Sequence, residues 1–175
     1  DRSTTVPCSA GVGLRTDGHG HVASGGATAG AHLVVGAQLT ARGVDVGANV
    51  GIFTRFLLKH FDHVIAVEPL PDLAVKIERI FGSKVQVENC ALGSTTGNIT
   101  IRTPVDAQGN AMHALTTAFE GNDLKMFEHQ SVQETTVAVA QLDALNHSGK
   151  RVAFVKIDVE GFELEVAKGA SRLLS

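Results

Sequence analysis

Between residues 42 and 89, short apolar segments alternate with segments of helical period, and this alternation constrains the fold more than any other feature. The apolar segments are residues 44–46, 63–68 and 85–89, and each is short enough to be a buried strand. Residues 49–61 and 72–81 place apolar side chains three and four positions apart, which predicts helices. Because strand–helix–strand units pair in parallel, we predict an α/β fold with an open, mostly parallel sheet and flanking helices.

The second half of the chain adds a different pattern. Residues 98–102 and 135–140 alternate between apolar and polar side chains, which predicts two strands that pair as an antiparallel β-hairpin insertion. Residues 104–130, between them, are polar and contain turn-forming side chains, so they are predicted to be a loop. The apolar segment 152–159 predicts a further buried strand, and residues 162–174 predict a closing helix.

The first 41 residues differ from the rest of the chain. Eight glycines fall within residues 11–36, charged side chains are few, and no apolar period is sustained. Such a segment buries too little apolar surface to offset its ordering entropy. We therefore predict a loosely ordered N-terminal segment, residues 1–41, followed by one domain, residues 42–175. His19 and His21 have the spacing of a metal-binding pair, but no cysteine or carboxylate cluster accompanies them, so no metal site is predicted.

Composition argues against several classes of partner. The net charge is −3 and the 15 basic residues form no cluster, which argues against nucleic-acid binding. No apolar run approaches the roughly 18 residues of a membrane span, and the start of the chain shows no signal-peptide pattern. Cys8 and Cys90 lie far apart and do not have metal-ligand spacing, so a reduced, cytoplasmic location is expected.

The turn after the first predicted strand is the candidate ligand site. Gly47 and Gly51 allow backbone N–H groups and a helix N-terminus to approach a ligand closely. Glu68 ends the next strand, where a carboxylate can accept the hydroxyls of a ribose. Asn49 stands where a dinucleotide fingerprint has glycine, and no Gly-Lys-Ser or Gly-Lys-Thr follows as in a P-loop. The pattern favours a phosphate-free ligand with a ribose and an amino-acid end, S-adenosylmethionine; a tight turn without a ligand is the structural alternative.

At this point four segments, taken in order, resemble the FkbM-type methyltransferases of the class I Rossmann-like group. The resemblance covers about residues 43–174. Its segments are D-V-G-A-N-V-G at residues 45–51, V-E-P at 67–69, N-C-A-L-G at 89–93 and K-I-D-V-E-G at 156–161. The resemblance implies O-methylation of a small hydroxylated molecule or a glycan, with S-adenosylmethionine as the methyl donor.

Carried over to this chain, the resemblance implies a cofactor site in three parts. The methionine end lies at the glycine turn, the ribose at the end of the second strand, and the adenine beside the residues after the third strand. The residues are Asp45, Gly47 and Asn49, with Gly51 of the same turn, then Glu68, and then Cys90, Ala91 and Leu92.

The resemblance also implies that Asp158 and Glu160 lie near the sulfonium and the methyl acceptor. Methyl transfer is an in-line displacement, so the protein must align the acceptor oxygen, the methyl group and the sulfur. A carboxylate beside the acceptor can take its proton, and Asp158 is the first candidate for this catalytic role, with Glu160 the second. The structural alternatives are that Asp158 caps the last helix and that Glu160 orients the loop.

The chain stops before the fold implied by the resemblance is complete. Sheets of that group have about seven strands, whereas the last helix here follows the fourth strand of the main sheet. We therefore expect a C-terminally incomplete domain, and the start at Asp1 suggests a fragment or a processed product. An open fourth strand favours self-association. Two other functions stay open, namely a non-catalytic binding or association module and a nicotinamide-dependent oxidoreductase, which Asn49 disfavours.

Overall fold

The computed structural model describes residues 41–112 and 131–175. The N-terminal residues 1–40, with His19 and His21, and residues 113–130 of the predicted loop lie outside this part, so the predicted boundary near residue 41 stays a prediction. None of the helices in the described part has the length and apolar character needed to cross a membrane. The elements, in chain order, are β1 (Arg42–Val46), α1 (Ile52–Leu57), β2 (Val64–Val67), α2 (Pro71–Phe81), β3 (Val85–Glu88), β4 (Ala91–Leu92), β5 (Gly97–Pro104), β6 (Val132–Ala140), β7 (Val152–Ile157) and α3 (Glu163–Lys168).

The main sheet contains four strands in the order β3–β2–β1–β7. Every neighbouring pair is parallel, and Val44 of β1 lies beside Ile65 on one side and Val155 on the other. All five residues of β1 are buried, as expected for a parallel strand that is covered on both faces. The open, mostly parallel sheet predicted from the strand–helix alternation is therefore confirmed.

Two apolar clusters cover the faces of this sheet. On one face, Leu57 of α1 and Ile77 of α2 pack against Val64. On the other face, Val166 of α3 packs in the same cluster as Val44. Burying each side chain of this size stabilises the fold by about 1.5–3 kcal/mol. Because α1 and α3 are too short to persist as isolated helices, this tertiary packing holds them in place.

A second sheet contains three strands in the order β4–β6–β5. β5 and β6 pair antiparallel, from Gly97 beside Val139 to Pro104 beside Val132, which confirms the predicted hairpin insertion. β4 is absent from the sequence prediction, because two residues are too short to show any period. Leu73 of α2 packs against this second sheet and so connects it to the main one.

Two helices are shorter than the sequence predicts. Asn49 and Gly51 have φ angles of 50° and 82°, which an α-helix does not allow, so α1 begins after this turn. α3 ends before Gly169, a residue of low helix propensity. A β-carbon at Gly169 would lie 2.0 Å from the carbonyl oxygen of Gly93, so the close approach of these two segments requires glycine there.

Candidate active site

A cavity of about 560 Å³ opens beyond the carboxyl ends of β1, β2 and β7. Its lining comes from the turn after β1, the residues after β2, the connection from β3 to β4 and the residues after β7. Its volume lies in the range of small-molecule and cofactor sites, about 300–1,000 Å³. Its position matches the rule that open α/β sheets bind ligands outside the carboxyl ends of their strands.

The structure brings most of the sequence-predicted site residues together around this cavity. Those that line it are Gly47, Asn49, Glu68, Cys90, Ala91, Leu92, Asp158 and Glu160. Asp45 and Gly51 do not line it, and both are buried. Lys156, which the sequence analysis did not select, also lines it.

Gly47 lies where the ends of β1, β2 and β7 converge. Its N–H donates to the carbonyl oxygen of Val67 at 3.0 Å, and its φ is +73°. A β-carbon on this residue would lie 2.0 Å from the carbonyl oxygen of Asp158. Backbone strain and steric collision therefore both require glycine at this position.

The Glu68 carboxylate is joined to the glycine turn by a hydrogen bond. Its Oε2 accepts from the backbone N–H of Asn49 at 2.8 Å, and its Oε1 accepts from that of Leu70 at 2.9 Å. Burial raises the pKa of Glu68, and these two hydrogen bonds act in the opposite direction. Asn49 tolerates its left-handed conformation better than most residues, so the turn can present its N–H to the carboxylate.

Asp45 supports the site without lining it. Its Oδ2 accepts a hydrogen bond from Oγ1 of Thr54 in α1 at 2.6 Å, and its Oδ1 lies 3.0 Å from Nζ of Lys156. Asp45 and Lys156 are register partners on the parallel strands β1 and β7, so their side chains lie on the same face of the sheet. Asp45 is completely buried against α1, and its contact with the methionine end stays a prediction.

Gly51 shapes the turn instead of lining the cavity. It is the N-cap residue of α1 with a φ of 82°, and its N–H donates to the carbonyl oxygen of Ala48 at 2.8 Å. A β-carbon here would lie 2.6 Å from the ring of Phe81 at the end of α2. Gly51 therefore forms the turn and lets α2 pack closely, and its place in the cofactor site stays a prediction.

Lys156 is the site residue that the sequence analysis missed. Its Nζ donates to the carbonyl oxygen of Gly47 at 2.9 Å and lies 3.5 Å from Oδ2 of Asp158. The same ammonium lies 5.7 Å from the ring centroid of Phe53, and it forms a partly buried ion pair with Asp45. A lysine within the apolar segment 152–159 was the available signal, because a buried ammonium needs a compensating partner.

The residues after β3 give the cavity an apolar wall. Cys90, Ala91 and Leu92 all line it, and Cys90 is completely buried and packs in the core. Nδ2 of Asn89 donates to the carbonyl oxygen of Glu68 at 2.8 Å, which fastens the end of β2 to the chain leaving β3. This wall suits a flat apolar group held beside the Glu68 carboxylate.

Asp158 and Glu160 follow β7 and reach the cavity as exposed side chains. The alternative that Asp158 caps the last helix is wrong, because the N-cap residue of α3 is Phe162 and no side chain caps it. Glu160 has a left-handed φ of 47°, which is uncommon for a residue other than glycine, asparagine or aspartate. Such conformations are concentrated at functional sites, where the surrounding structure enforces them.

Residues 45–175 match the family model described as the methyltransferase FkbM domain. The chain belongs to this family. Membership of this family implies a methyl donor.

Two relatives extend this comparison. The chain is similar to Methyltransferase 1 of Beauveria bassiana (strain ARSEF 2860), with 29% identity over 72% of this chain and 57% of that protein. It is also similar to the crystal structure of methyltransferase FkbM from Methylobacillus flagellatus KT, with a TM-score of 0.51 and 20% identity over 77% of this chain and 30% of that one. The structural similarity shows that the fold is shared. The chain spans less than two thirds of the length of either relative.

The charges around the cavity of this FkbM domain indicate what kind of donor it can hold. The described lining carries three carboxylates, Glu68, Asp158 and Glu160, against one ammonium, that of Lys156. This excess of negative charge favours a cationic ligand over a phosphate.

Proposed function

We propose that this chain is the donor-binding part of an S-adenosylmethionine-dependent methyltransferase, and that the acceptor is a hydroxyl of a small molecule or a sugar. The observation that carries the proposal is the contact between Glu68 and the glycine turn. Oε2 of Glu68 lies 2.8 Å from the backbone nitrogen of Asn49, and both residues line one cavity with Gly47. This arrangement offers a ribose-binding carboxylate beside a turn that lacks the features of a phosphate site.

Each part of the donor has a counterpart in the cavity. The ribose hydroxyls would donate to Glu68, whose oxygens each have a second lone pair beyond the one used by the backbone N–H groups. The adenine would lie against the wall that includes Cys90 and Leu92. The amino-acid end would lie at the turn beside Gly47. When bound, S-adenosylmethionine supplies the electrophilic methyl group.

The protein's contribution to transfer is alignment and proton acceptance. A hydroxyl acceptor must approach the methyl group opposite the sulfur, and Asp158 and Glu160 line the same cavity after the end of β7. A carboxylate there can accept the hydroxyl proton as the new bond forms. The exposed positions of both side chains leave room for an acceptor beside them.

Calorimetry with S-adenosylmethionine, NAD⁺ and ATP tests the choice of donor. We expect one-to-one binding of S-adenosylmethionine and no binding of the two phosphate ligands. Glu68→Ala should weaken binding at least about tenfold, because hydrogen bonds to a charged group contribute about 1.5–3 kcal/mol each. Glu78→Ala, which removes an exposed carboxylate on α2, is the matched control and should bind normally.

Two results would count against this choice of donor. One is NAD⁺ binding with no S-adenosylmethionine binding, which would favour an oxidoreductase. The other is unchanged affinity in a Glu68→Ala protein that unfolds at the same temperature as the wild type. Glu68→Gln provides a milder variant, because its amide oxygen can keep one of the two backbone hydrogen bonds.

Incubation with a methyl-labelled donor and hydroxylated acceptors, including monosaccharides and oligosaccharides, tests the acceptor class. A methyl ether resists mild base, whereas a methyl ester is hydrolysed. Label that stays on the product through base treatment is therefore expected. Base-labile label, or label on an amine, would show that the acceptor group is not a hydroxyl.

The edge of the main sheet favours a second candidate function, association with another chain. Among the described residues, β7 pairs with β1 alone, and its Phe154, Val155 and Ile157 are half-buried. An edge strand of this kind is a template for pairing. Sedimentation velocity should show a self-associated species that Val155→Lys dissociates. A monomeric protein that transfers methyl groups would reject the association role.

A further inference from the structure

We propose that Lys156 and Asp158 together bind the amino-acid end of the donor, Lys156 through the carboxylate and Asp158 through the ammonium group. This inference rests on the proposed function, because it requires a ligand that carries an α-amino acid. It gives Lys156 a direct binding role and gives Asp158 a role other than that of a proton acceptor.

The Lys156 ammonium has hydrogen-bonding capacity left over. Among the described residues, its aligned hydrogen bond goes to the carbonyl oxygen of Gly47 at 2.9 Å. Oδ1 of Asp45 lies 3.0 Å away, yet this buried oxygen accepts no aligned hydrogen bond from any described group. An ammonium carries three protons, so Lys156 can still donate to a ligand oxygen in the cavity that it lines.

The charges beside Lys156 are arranged in a way that suits a zwitterion. The Lys156 side chain is only 16% exposed. Its charge is compensated by the buried carboxylate of Asp45, which does not line the cavity. Asp158 does line the cavity. Its Oδ2 lies 3.5 Å from the Lys156 ammonium, and the Asp158 side chain is 67% exposed. Lys156 and Asp158 therefore present adjacent positive and negative charges to the cavity.

An α-amino acid carries its own positive and negative charges on groups attached to one carbon. When the carboxylate of the ligand lies beside Lys156 and its ammonium group lies beside Asp158, each charge of the ligand faces an opposite charge. Charge-assisted hydrogen bonds of this kind are stronger than those between neutral groups. Because Lys156 also holds the carbonyl oxygen of Gly47, the amino-acid end would lie at the glycine turn while the ribose reaches Glu68.

This assignment gives different roles to the two acidic residues after β7. Asp158 has Lys156 at 3.5 Å and is the carboxylate suited to the ligand's ammonium group. Glu160 lies two residues further along, in the left-handed conformation, and lines the same cavity. The carboxylate that accepts the acceptor's proton is then Glu160.

Titration calorimetry with S-adenosylmethionine and its decarboxylated analogue tests the role of Lys156. The wild-type protein should bind the analogue about 10- to 100-fold more weakly, because one charge-assisted hydrogen bond is lost. Lys156→Met should bind the two ligands with nearly equal affinity, and Lys156→Arg should keep most of the discrimination. Lys84→Met, which removes an exposed charge before β3, is the control and should discriminate as the wild type does.

Lys156→Met leaves the buried Asp45 carboxylate without its cation, which destabilises the fold. The same comparison is therefore made with Asp45→Asn/Lys156→Met, in which both members of the buried pair are neutral. Thr54 can still donate to the remaining amide oxygen of residue 45. This double variant should fold and should also lose the discrimination.

The outcomes distinguish this inference from the proposed function. If the wild type binds both ligands equally, the role of Lys156 is refuted while donor binding stands. If it binds neither ligand, the proposed function itself fails. Full discrimination by a folded Asp45→Asn/Lys156→Met protein would also exclude Lys156. Asp158→Asn should weaken the binding of both ligands by a similar factor, because both ligands keep the ammonium group. Unchanged binding by this variant would show that Asp158 does not bind the ammonium group.

Discussion

The carbonyl oxygen of Asp158 lies 2.0 Å from the position that a β-carbon would take on Gly47. Two residues before Asp158, the ammonium of Lys156 binds the carbonyl oxygen of Gly47 at 2.9 Å. The end of β7 and the turn after β1 are therefore joined by both close packing and charge. A change on either segment is expected to move the other, and with it the acidic side chains at the cavity.

Gly47→Ala should destabilise the fold and abolish donor binding. The added β-carbon meets both a left-handed backbone and the Asp158 carbonyl oxygen, so we expect a loss of about 2–4 kcal/mol in the free energy of unfolding. Urea denaturation measures this loss. Gly109→Ala is the control, because Gly109 also has a positive φ but nothing within 4 Å, and it should lose only about 1–2 kcal/mol. Equal losses at the two positions would show that the contact with Asp158 is unimportant.

Thr54→Val should lower stability without changing side-chain shape. The substitution removes the hydrogen bond from Oγ1 of Thr54 to the buried Asp45 carboxylate, and bonds to charged groups contribute about 1.5–3 kcal/mol. The free energy of unfolding in urea gives the loss. The same substitution at the exposed Thr100 should change stability by less than about 0.5 kcal/mol. A Thr54→Val protein as stable as the wild type would mean that Lys156 alone satisfies Asp45.

His147 should make the protein less stable as the pH falls below about 6.5. Burial lowers the pKa of His147, and the positive charge of Arg42 lowers it further. The unfolded chain, with a histidine pKa of about 6.5, then binds a proton more readily than the folded chain. The stability that neutral His147 contributes is complete above this value and is lost as the pH falls toward the lowered folded-state pKa.

Unfolding free energies measured at several pH values between 5 and 8 test this dependence on His147. For one proton, the slope contributed below pH 6.5 is at most about 1.4 kcal/mol per pH unit. His147→Gln should reduce the slope, whereas His63→Gln, which replaces an exposed histidine, should leave it in place. An unchanged slope in the His147→Gln protein would assign the pH dependence to other groups.

Glu160→Gln and Asp158→Asn should separate turnover from donor binding. If Glu160 accepts the acceptor's proton, Glu160→Gln should lower kcat by about 10²- to 10⁴-fold with little change in the donor Kd. Asp158→Asn should mainly raise the donor Kd, because it removes the partner of the ligand's ammonium group. Steady-state kinetics with a labelled donor, together with calorimetry, give both values. The reverse pattern would return the proton-accepting role to Asp158.

Local sequence was enough to predict most elements of this fold. Apolar runs such as that of β2 must be buried on both faces, and the helical period of α2 places Leu73 and Ile77 on one side. These signals depend only on residues that are neighbours in the chain, so one sequence is enough to detect them. Gly47 and Glu68 could be selected for the same reason, because each stands at the end of a recognisable strand.

Lys156 and Asp45 show what a linear pattern lacks. Asp45 lies in a strand that is buried on both faces and Lys156 in one that is mostly half-buried, so alternation does not reveal which layer either side chain enters. Their partnership depends on the register of β1 with β7, which are more than a hundred residues apart in the chain. The two-residue strand β4 is similar, because its pairing with β6 exists only in the folded protein.

The sequence by itself determined the parallel sheet, the hairpin insertion, the glycine turn and the carboxylate that ends β2, because local periodicity and backbone chemistry encode them. The tertiary structure alone decided that Asp45 faces α1, that Gly51 packs against Phe81, and that Lys156 connects the turn to Asp158. These relationships are set by register and packing between distant segments. A charged side chain within an apolar strand shows that it needs a partner, but only the folded chain shows which residue that partner is.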